Sequence, residues 1–134
     1  MVAAVTFVWL GMVLGISFLE APLKFRAPEV TVRIGLGIGR LVFRALNTAE
    51  VVFAAVVLVG VLLAPASAGA RTAEFVAIAA LALQLVAVRP RLNRRTAAVL
   101  ADEPAPRSRA HLGYVALESI KALALLAGGV LSLH

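Results

Sequence analysis

The chain has 134 residues, of which 62% are hydrophobic and 15% are charged, and its mean hydropathy is +0.99. A soluble domain of this length buries too little of its surface to hide so many apolar side chains, so a free soluble globule is excluded. Cysteine is absent, which excludes disulfides, thiolate metal ligands and thiol chemistry. The net charge of +6 must therefore be explained by where the basic residues lie.

Four stretches approach the roughly 20 apolar residues that a membrane-spanning helix needs. They cover residues 2–19, 45–64, 72–88 and 112–133. Because backbone groups in lipid must be satisfied within each span, the sequence predicts an all-α, antiparallel four-helix bundle that forms a single domain over residues 1–134. The first stretch has no basic residue before Lys24 and no small-residue cleavage site, so we predict a retained helix there and not a signal peptide.

The basic residues are concentrated in two of the three predicted connections. Residues 20–44 and 89–111 contain eleven Lys and Arg residues, whereas the connection at residues 65–71 contains one, Arg71. The positive-inside rule then predicts cytoplasmic basic connections and both termini outside. Arginines beside membrane ends are typical of topology determinants and of contacts with anionic lipids, so we predict no nucleic-acid partner. The abundant Ala, Arg, Val and Leu residues favour a GC-rich bacterial genome, and hence a multi-pass protein of the bacterial inner membrane.

Proline and glycine subdivide the two basic connections. After Pro28 the chain is predicted to begin as an interfacial helix that either continues into the second span or bends into it, with the glycines of residues 35–39 as the hinge in the second case. In the other basic connection, residues 92–100 are predicted to form a short surface helix, and the proline-rich residues 104–109 a loop.

Two glycine pairs are spaced four residues apart, at Gly11 and Gly15 and at Gly35 and Gly39. In membrane helices this spacing lets two backbones approach closely. The pairs therefore suggest packing within the bundle or a homo-oligomer formed through these faces.

Polar residues at membrane depth are costly and tend to face a bundle interior, which makes them the candidates for a functional site. At 1.5 Å per residue, Glu50, Gln84 and Glu118 lie about 8–10 Å from the predicted cytoplasmic surface, and Lys121 lies deeper. Glu74 is predicted at the outer membrane edge, and Trp9 fits an interfacial anchor if the first helix is shifted or tilted. These depths predict a polar pocket that opens to the cytoplasm beneath an apolar outer half. Its predicted lining residues are Arg40, Arg44, Asn47, Glu50, Gln84, His111, Tyr114, Glu118 and Lys121.

Several interpretations of these polar residues remain open. The pocket could bind or move a small molecule, a lipid or a proton. Alternatively, Glu50, Glu118 and Lys121 form an ion-paired network that fixes helix register in a structural or partner subunit. A membrane enzyme acting on lipid or quinone is a third hypothesis, although no catalytic set is recognisable. The two histidines, His111 and His134, lie on predicted opposite sides and no Glu-x-x-His motif occurs, so no metal or other cofactor is predicted.

A series of motifs in the first 50 residues has the layout of a known family. The matching positions are Gly15 with Phe18, Pro22 with Phe25, and Gly39 or Arg40 leading to Phe43. They resemble the family of four-helix membrane proteins related to transmembrane protein 205, and Pro90, His111, Tyr114 and Lys121 fit its looser second half. Lys24 stands where that family has an apolar residue. The resemblance implies a membrane four-helix bundle and attaches no activity to it.

Overall fold

The computed structural model describes residues 1–103 and 109–134, and these residues form four long helices without any strand. The helices are α1 (Val2–Arg26), α2 (Val32–Leu63), α3 (Ala68–Leu100) and α4 (Ala110–Leu131). Each is long and apolar enough to cross a membrane, which confirms the predicted all-α four-helix bundle. The predicted loop at Pro104 and Pro106 lies outside the described residues.

The helices run alternately up and down because the described connections are too short for any other course. Residues 27–31 join α1 to α2, and residues 64–67 join α2 to α3. Side chains cap the first turns of α2 and α3. The Thr31 hydroxyl accepts from the Ile34 N–H at 3.2 Å, and the Ser67 hydroxyl accepts from the Ala70 N–H at 3.1 Å. Each hydroxyl satisfies one of the N–H groups that the first helical turn leaves without a partner.

The α2 helix is continuous over 32 residues, so of the two predicted courses the chain continues into the second span and does not bend at the glycines. The glycines serve close packing instead. A Cβ at Gly35 would overlap the Phe25 ring, and one at Gly39 would lie 2.9 Å from Lys24 Nζ. The end of α1 therefore rests directly on the start of α2 where side chains are absent, and the helix has no need to bend.

Prolines lie within α1 and α3 without ending either helix. Pro22 follows a π-helical segment at Leu14–Glu20, and Pro90 follows one at Gln84–Val88. A proline clashes with the carbonyl four residues before it, and a local widening of the helix relieves that clash. Because α3 passes Pro90 in this way, the predicted separate surface helix at residues 92–100 is its continuation.

The core is a column of apolar side chains between the four helices. Its fully buried members include Trp9, Val57, Ala77 and Leu125, one from each helix. Trp9 is therefore not an interfacial anchor. Exposed Leu, Val, Ile and Phe side chains cover the outside of the bundle, as expected for helices that face lipid.

Candidate functional site

Lys121 is the centre of a buried polar cluster midway along α4. Its ammonium nitrogen donates to Glu50 Oε1 at 2.6 Å and to Gln84 Oε1 at 2.8 Å, and it lies 3.2 Å from Glu118 Oε1. None of these four side chains is more than 2% exposed. The sequence placed Glu50, Gln84 and Glu118 at a common depth, and the structure brings all three to Lys121.

Two further hydrogen bonds connect this cluster to every helix. Gln84 Nε2 donates to Glu118 Oε2 at 2.6 Å, and Trp9 Nε1 donates to Glu50 Oε1 at 3.2 Å. We call Trp9, Glu50, Gln84, Glu118 and Lys121 the central network. Each helix contributes at least one member, so the network links all four helices to one another.

Of the other predicted lining residues, Tyr114 contacts the central network, since its backbone carbonyl accepts from Gln84 Nε2 at 3.5 Å. Along α2 the side chains turn inward with each step: Arg40 and Arg44 are exposed, Asn47 is half-buried and Glu50 is buried. Within the described part of the chain, neither arginine forms an ion pair. Arg40, His111, Tyr114 and Glu118 line one cavity, and Arg44 and Asn47 line a neighbouring groove. A single pocket that includes all nine residues stays a prediction.

The cavity opens at the end of the bundle that carries the basic connections, and we call it the basic-end cavity. It has a volume of about 480 Å³ and lies between the ends of all four helices. Glu118 of the central network reaches its floor. The aromatic and basic side chains that line the cavity are Phe18, Phe25, Phe43, Tyr114, Lys24, Arg40, Arg89 and His111.

Arg89 is held between two aromatic rings on the wall of this cavity. Its guanidinium carbon lies 4.9 Å from the centre of the Phe43 ring and 4.8 Å from that of Tyr114, and the two rings meet edge to face at 5.7 Å. The buried Nε and Nη2 atoms of Arg89 have no hydrogen-bond partner among residues 1–103 and 109–134. Arg89 also lines a neighbouring groove of about 310 Å³ beside Asn47.

Arg89 and Phe43 were not among the predicted site residues. In an α-helix, a residue five positions after Gln84 points well away from it. The π-helical segment Gln84–Val88 instead has i→i+5 hydrogen bonds and more residues in each turn, which brings Arg89 closer to the face of Gln84, so that Arg89 lines the cavity that Glu118 reaches. Sequence periodicity gave no sign of this segment, although Pro90 directly after Arg89 is a signal that the helix must deviate.

The half of the bundle away from the basic end contains a second buried carboxyl group. Thr6 Oγ1 donates to Glu74 Oε1 at 2.8 Å, and both side chains are at most 1% exposed. A Cβ at Gly128 would lie 2.7 Å from Glu74 Oε1. Glu74 is seven residues into the helix that Ser67 caps, about 10 Å from its start, and with Thr6 it forms a buried polar contact in the half of the bundle predicted to be mostly apolar.

Four membrane-length helices around a buried ionic network define a multi-pass α-helical membrane protein. Comparisons of the chain with protein-family models, with curated proteins and with solved structures give no match. Within the described ranges, no group of three or more His, Asp or Glu side chains could hold a metal ion. The basic-end cavity and the central network are therefore the candidate functional features of the described residues.

Proposed function

We propose that the protein binds an anionic amphiphile in the basic-end cavity, with Arg89 as the ligand of the anionic group. The observation that carries this proposal is the guanidinium of Arg89, which is stacked between Phe43 and Tyr114 and has no anionic partner within the described residues. An arginine presents its donors as a planar fork that matches a phosphate or a carboxylate. The two rings fix that fork, so little entropy is lost when an anion binds.

The remaining lining suits the apolar part of such a molecule. Phe18, Leu36 and Val115 provide apolar surface, Arg40 adds positive charge, and Lys24 lines the cavity while it pairs with Glu20 at 3.8 Å. A cavity of about 480 Å³ is within the range of small-molecule sites, which are mostly apolar with a few convergent polar groups. Acidic charge is confined to the floor at Glu118, so an anionic group is favoured nearer the opening than the floor.

A bilayer phospholipid and a soluble anionic amphiphile share this chemistry. Either one joins a phosphate or carboxylate to an apolar body. The predicted orientation places the basic end in the cytoplasm, where anionic lipid headgroups attract arginines and where a soluble ligand would enter. Retention of a lipid or of a soluble probe by the protein separates these two sources.

A structural role is the alternative function, and the central network favours it. Lys121 contacts both carboxylates and Gln84 bridges it to Glu118, so the ammonium group of Lys121 has its anionic partners in place without any ligand. Under this alternative the protein is a structural or partner subunit, and its buried charges fix helix register alone. Arg89 does not belong to that network, which is why it distinguishes the two functions.

Family membership and oligomeric state are parts of the proposal that await a test. The resemblance to the family related to transmembrane protein 205 is compatible with a four-helix bundle and adds no ligand. Gly35 and Gly39 are covered by α1 within the chain, whereas a Cβ at Gly11 or Gly15 would meet nothing within 4 Å. A second copy of the chain would therefore use the Gly11 and Gly15 face.

Native mass spectrometry of the protein released from nanodiscs tests the proposed ligand class. One sample is prepared in phosphatidylcholine with phosphatidylglycerol, and a second in phosphatidylcholine alone with added dodecyl phosphate as the soluble probe. We compare the wild-type protein with Arg89→Gln, Arg89→Lys and the matched control Arg91→Gln, since Arg91 is exposed on the same helix.

We expect Arg89→Gln to weaken retention of the anionic molecule at least about tenfold, because a charged hydrogen-bonded pair contributes about 1.5–3 kcal/mol. Arg89→Lys keeps the charge and loses the planar fork, so its retention of the anionic molecule should lie between that of the wild type and that of Arg89→Gln. Phosphatidylglycerol retained by the wild type identifies a lipid, and dodecyl phosphate retained alone identifies a soluble ligand. Equal loss in Arg91→Gln, or no retention in either sample, would overturn the proposal in favour of the structural subunit.

A further inference from the structure

The two helical hairpins of the chain repeat one pattern with an offset of 68 residues, the separation of Thr6 and Glu74. At this offset α1 falls within α3, residues 42–63 of α2 fall on α4, and both α2 and α4 end on a matching leucine, Leu63 and Leu131. Identical residues also occur at other equivalent positions. They are Phe7 and Phe75, Val8 and Val76, Pro22 and Pro90, Glu50 and Glu118, and Gly60 and Gly128.

Burial and backbone geometry follow the same repeat. Trp9 and Ala77 are both fully buried, as are Val57 and Leu125. A π-helical segment precedes the matching proline in each hairpin. The agreement of sequence, burial and backbone indicates that the bundle consists of two equivalent hairpins.

Equivalent positions of the two hairpins meet one another in the bundle interior. Thr6 donates to Glu74, its equivalent 68 residues later. Glu50 and its equivalent Glu118 both contact Lys121. In a two-fold arrangement, equivalent residues meet only along the axis. Both buried carboxyl sites therefore lie on the pseudo-two-fold axis of the bundle.

The repeat is unequal in charge at its centre. Each hairpin contributes a glutamate, but the position equivalent to Lys121 is occupied by Phe53. Two carboxylates and one ammonium group carry a net charge of −1 when all are ionised, and a net charge in a dry bundle interior is costly. One proton on the carboxyl pair removes that charge.

We propose that Glu50 and Glu118 share one exchangeable proton at the centre of the bundle. Binding forms an O–H bond on a carboxylate oxygen, and release returns the proton to water. Glu50 Oε2 offers the position, because it is buried and accepts no hydrogen bond from the described residues. Glu118 lies on the floor of the basic-end cavity, which gives the pair a route to the aqueous side.

Among the described residues that surround the pair, Lys121 is the cation that forms ion pairs with it. From α1 it faces the indole N–H of Trp9, and from α3 the amide of Gln84, neither of which titrates. On α4 the glutamate pair faces Lys121, whose charge is included in the net charge of −1, and Tyr114 lies one turn from Glu118. Lys24, Arg89 and His111 line the cavity beyond Glu118, and among the described residues none of the three forms an ion pair with either glutamate.

Infrared absorption of protonated carboxyl groups tests this proposal without any ligand. The protein is studied near neutral pH in a maltoside detergent, which has no ester carbonyl to obscure the signal. Exposed acids are ionised and do not contribute. We expect the wild type to show two protonated carboxyl groups, one in the central network and one at Glu74, which has no ion-pair partner within the described ranges.

Each variant changes this count in a defined way. Glu50→Gln or Glu118→Gln leaves one glutamate with one lysine, so either should lose one protonated carboxyl group and retain that of Glu74. Lys121→Met should gain one, and the control Glu74→Gln should lose the other signal alone. If Glu74→Gln abolishes all protonated carboxyl absorption, or if both network glutamine variants leave the spectrum unchanged, the shared proton is refuted. Two glutamine variants are used so that poor folding of one does not decide the result. A failure here would not affect anion binding at Arg89, which the retention experiment measures separately.

Discussion

The central network and the basic-end cavity contain similar residue types and differ in how their charges are balanced. In the network, Lys121 contacts Glu50 and Glu118 directly, and Gln84 bridges Lys121 and Glu118. In the cavity, Arg89 faces two aromatic rings and no carboxylate among the described residues. A buried cation whose anionic partners are in place therefore stabilises the fold, whereas a cation held rigidly without an anion is available to a ligand.

Substitution of Lys121 should give the largest difference in stability between the network and the cavity. Lys121→Met leaves two buried carboxyl groups without their cation, so we expect a loss of about 3–5 kcal/mol in the free energy of unfolding, measured by sodium dodecyl sulfate titration in detergent micelles. Arg89→Met in the cavity should cost only about 1 kcal/mol, the value of its contacts with the rings. Neutralising Glu50 and Glu118 together with Lys121 should recover most of the loss. Equal effects of Lys121→Met and Arg89→Met would contradict the distinction.

Close packing in the other half of the bundle should give the next largest effect. Gly128→Ala places a Cβ 2.7 Å from Glu74 Oε1 and 2.9 Å from its Cδ, so we expect a destabilisation of about 1–3 kcal/mol by the same titration. Gly113→Ala on the same helix is the matched control, because its Cβ would meet nothing within 4 Å. That control should be neutral or stabilising by up to about 1 kcal/mol. A destabilised Gly113→Ala would instead implicate backbone geometry along α4.

Loss of the indole hydrogen bond should have a smaller effect. Trp9→Phe keeps an aromatic ring in the core and removes the donor to Glu50 Oε1, which Lys121 also contacts. We expect a loss of about 1 kcal/mol in the free energy of unfolding. Combination of Trp9→Phe with Glu50→Gln in a double-mutant cycle should give a coupling energy of similar size, and additive effects would show that the indole acts through packing alone.

The smallest effect is expected at the surface. Arg33 Nη1 donates to Asp102 Oδ1 at 2.7 Å and links the start of α2 to the end of α3, yet both side chains are more than half exposed. We expect Asp102→Asn to change the free energy of unfolding by about 1 kcal/mol or less, and less still at high salt. A large, salt-independent loss would show that this link between the helix ends is structurally essential.

The predictions from sequence succeeded for properties that each helix determines on its own. The number of spans and the common depth of Glu50, Gln84 and Glu118 follow from hydropathy and from a rise of 1.5 Å per residue. They failed where one helix rests on another. Gly35 and Gly39 suggested a hinge until the structure placed Phe25 and Lys24 upon them. Arg89 went unnoticed because a π-helical segment altered the helical phase that leads to it.

The sequence by itself determined that this chain is a multi-pass membrane protein and which buried polar residues must find partners, because the cost of polar groups in lipid acts on each helix separately. The tertiary structure decided which partners they find. It joined Lys121 to two glutamates, placed Glu74 against Thr6 and left Arg89 between two rings. Those choices depend on how side chains of four helices fill one interior, and no helix carries that information alone.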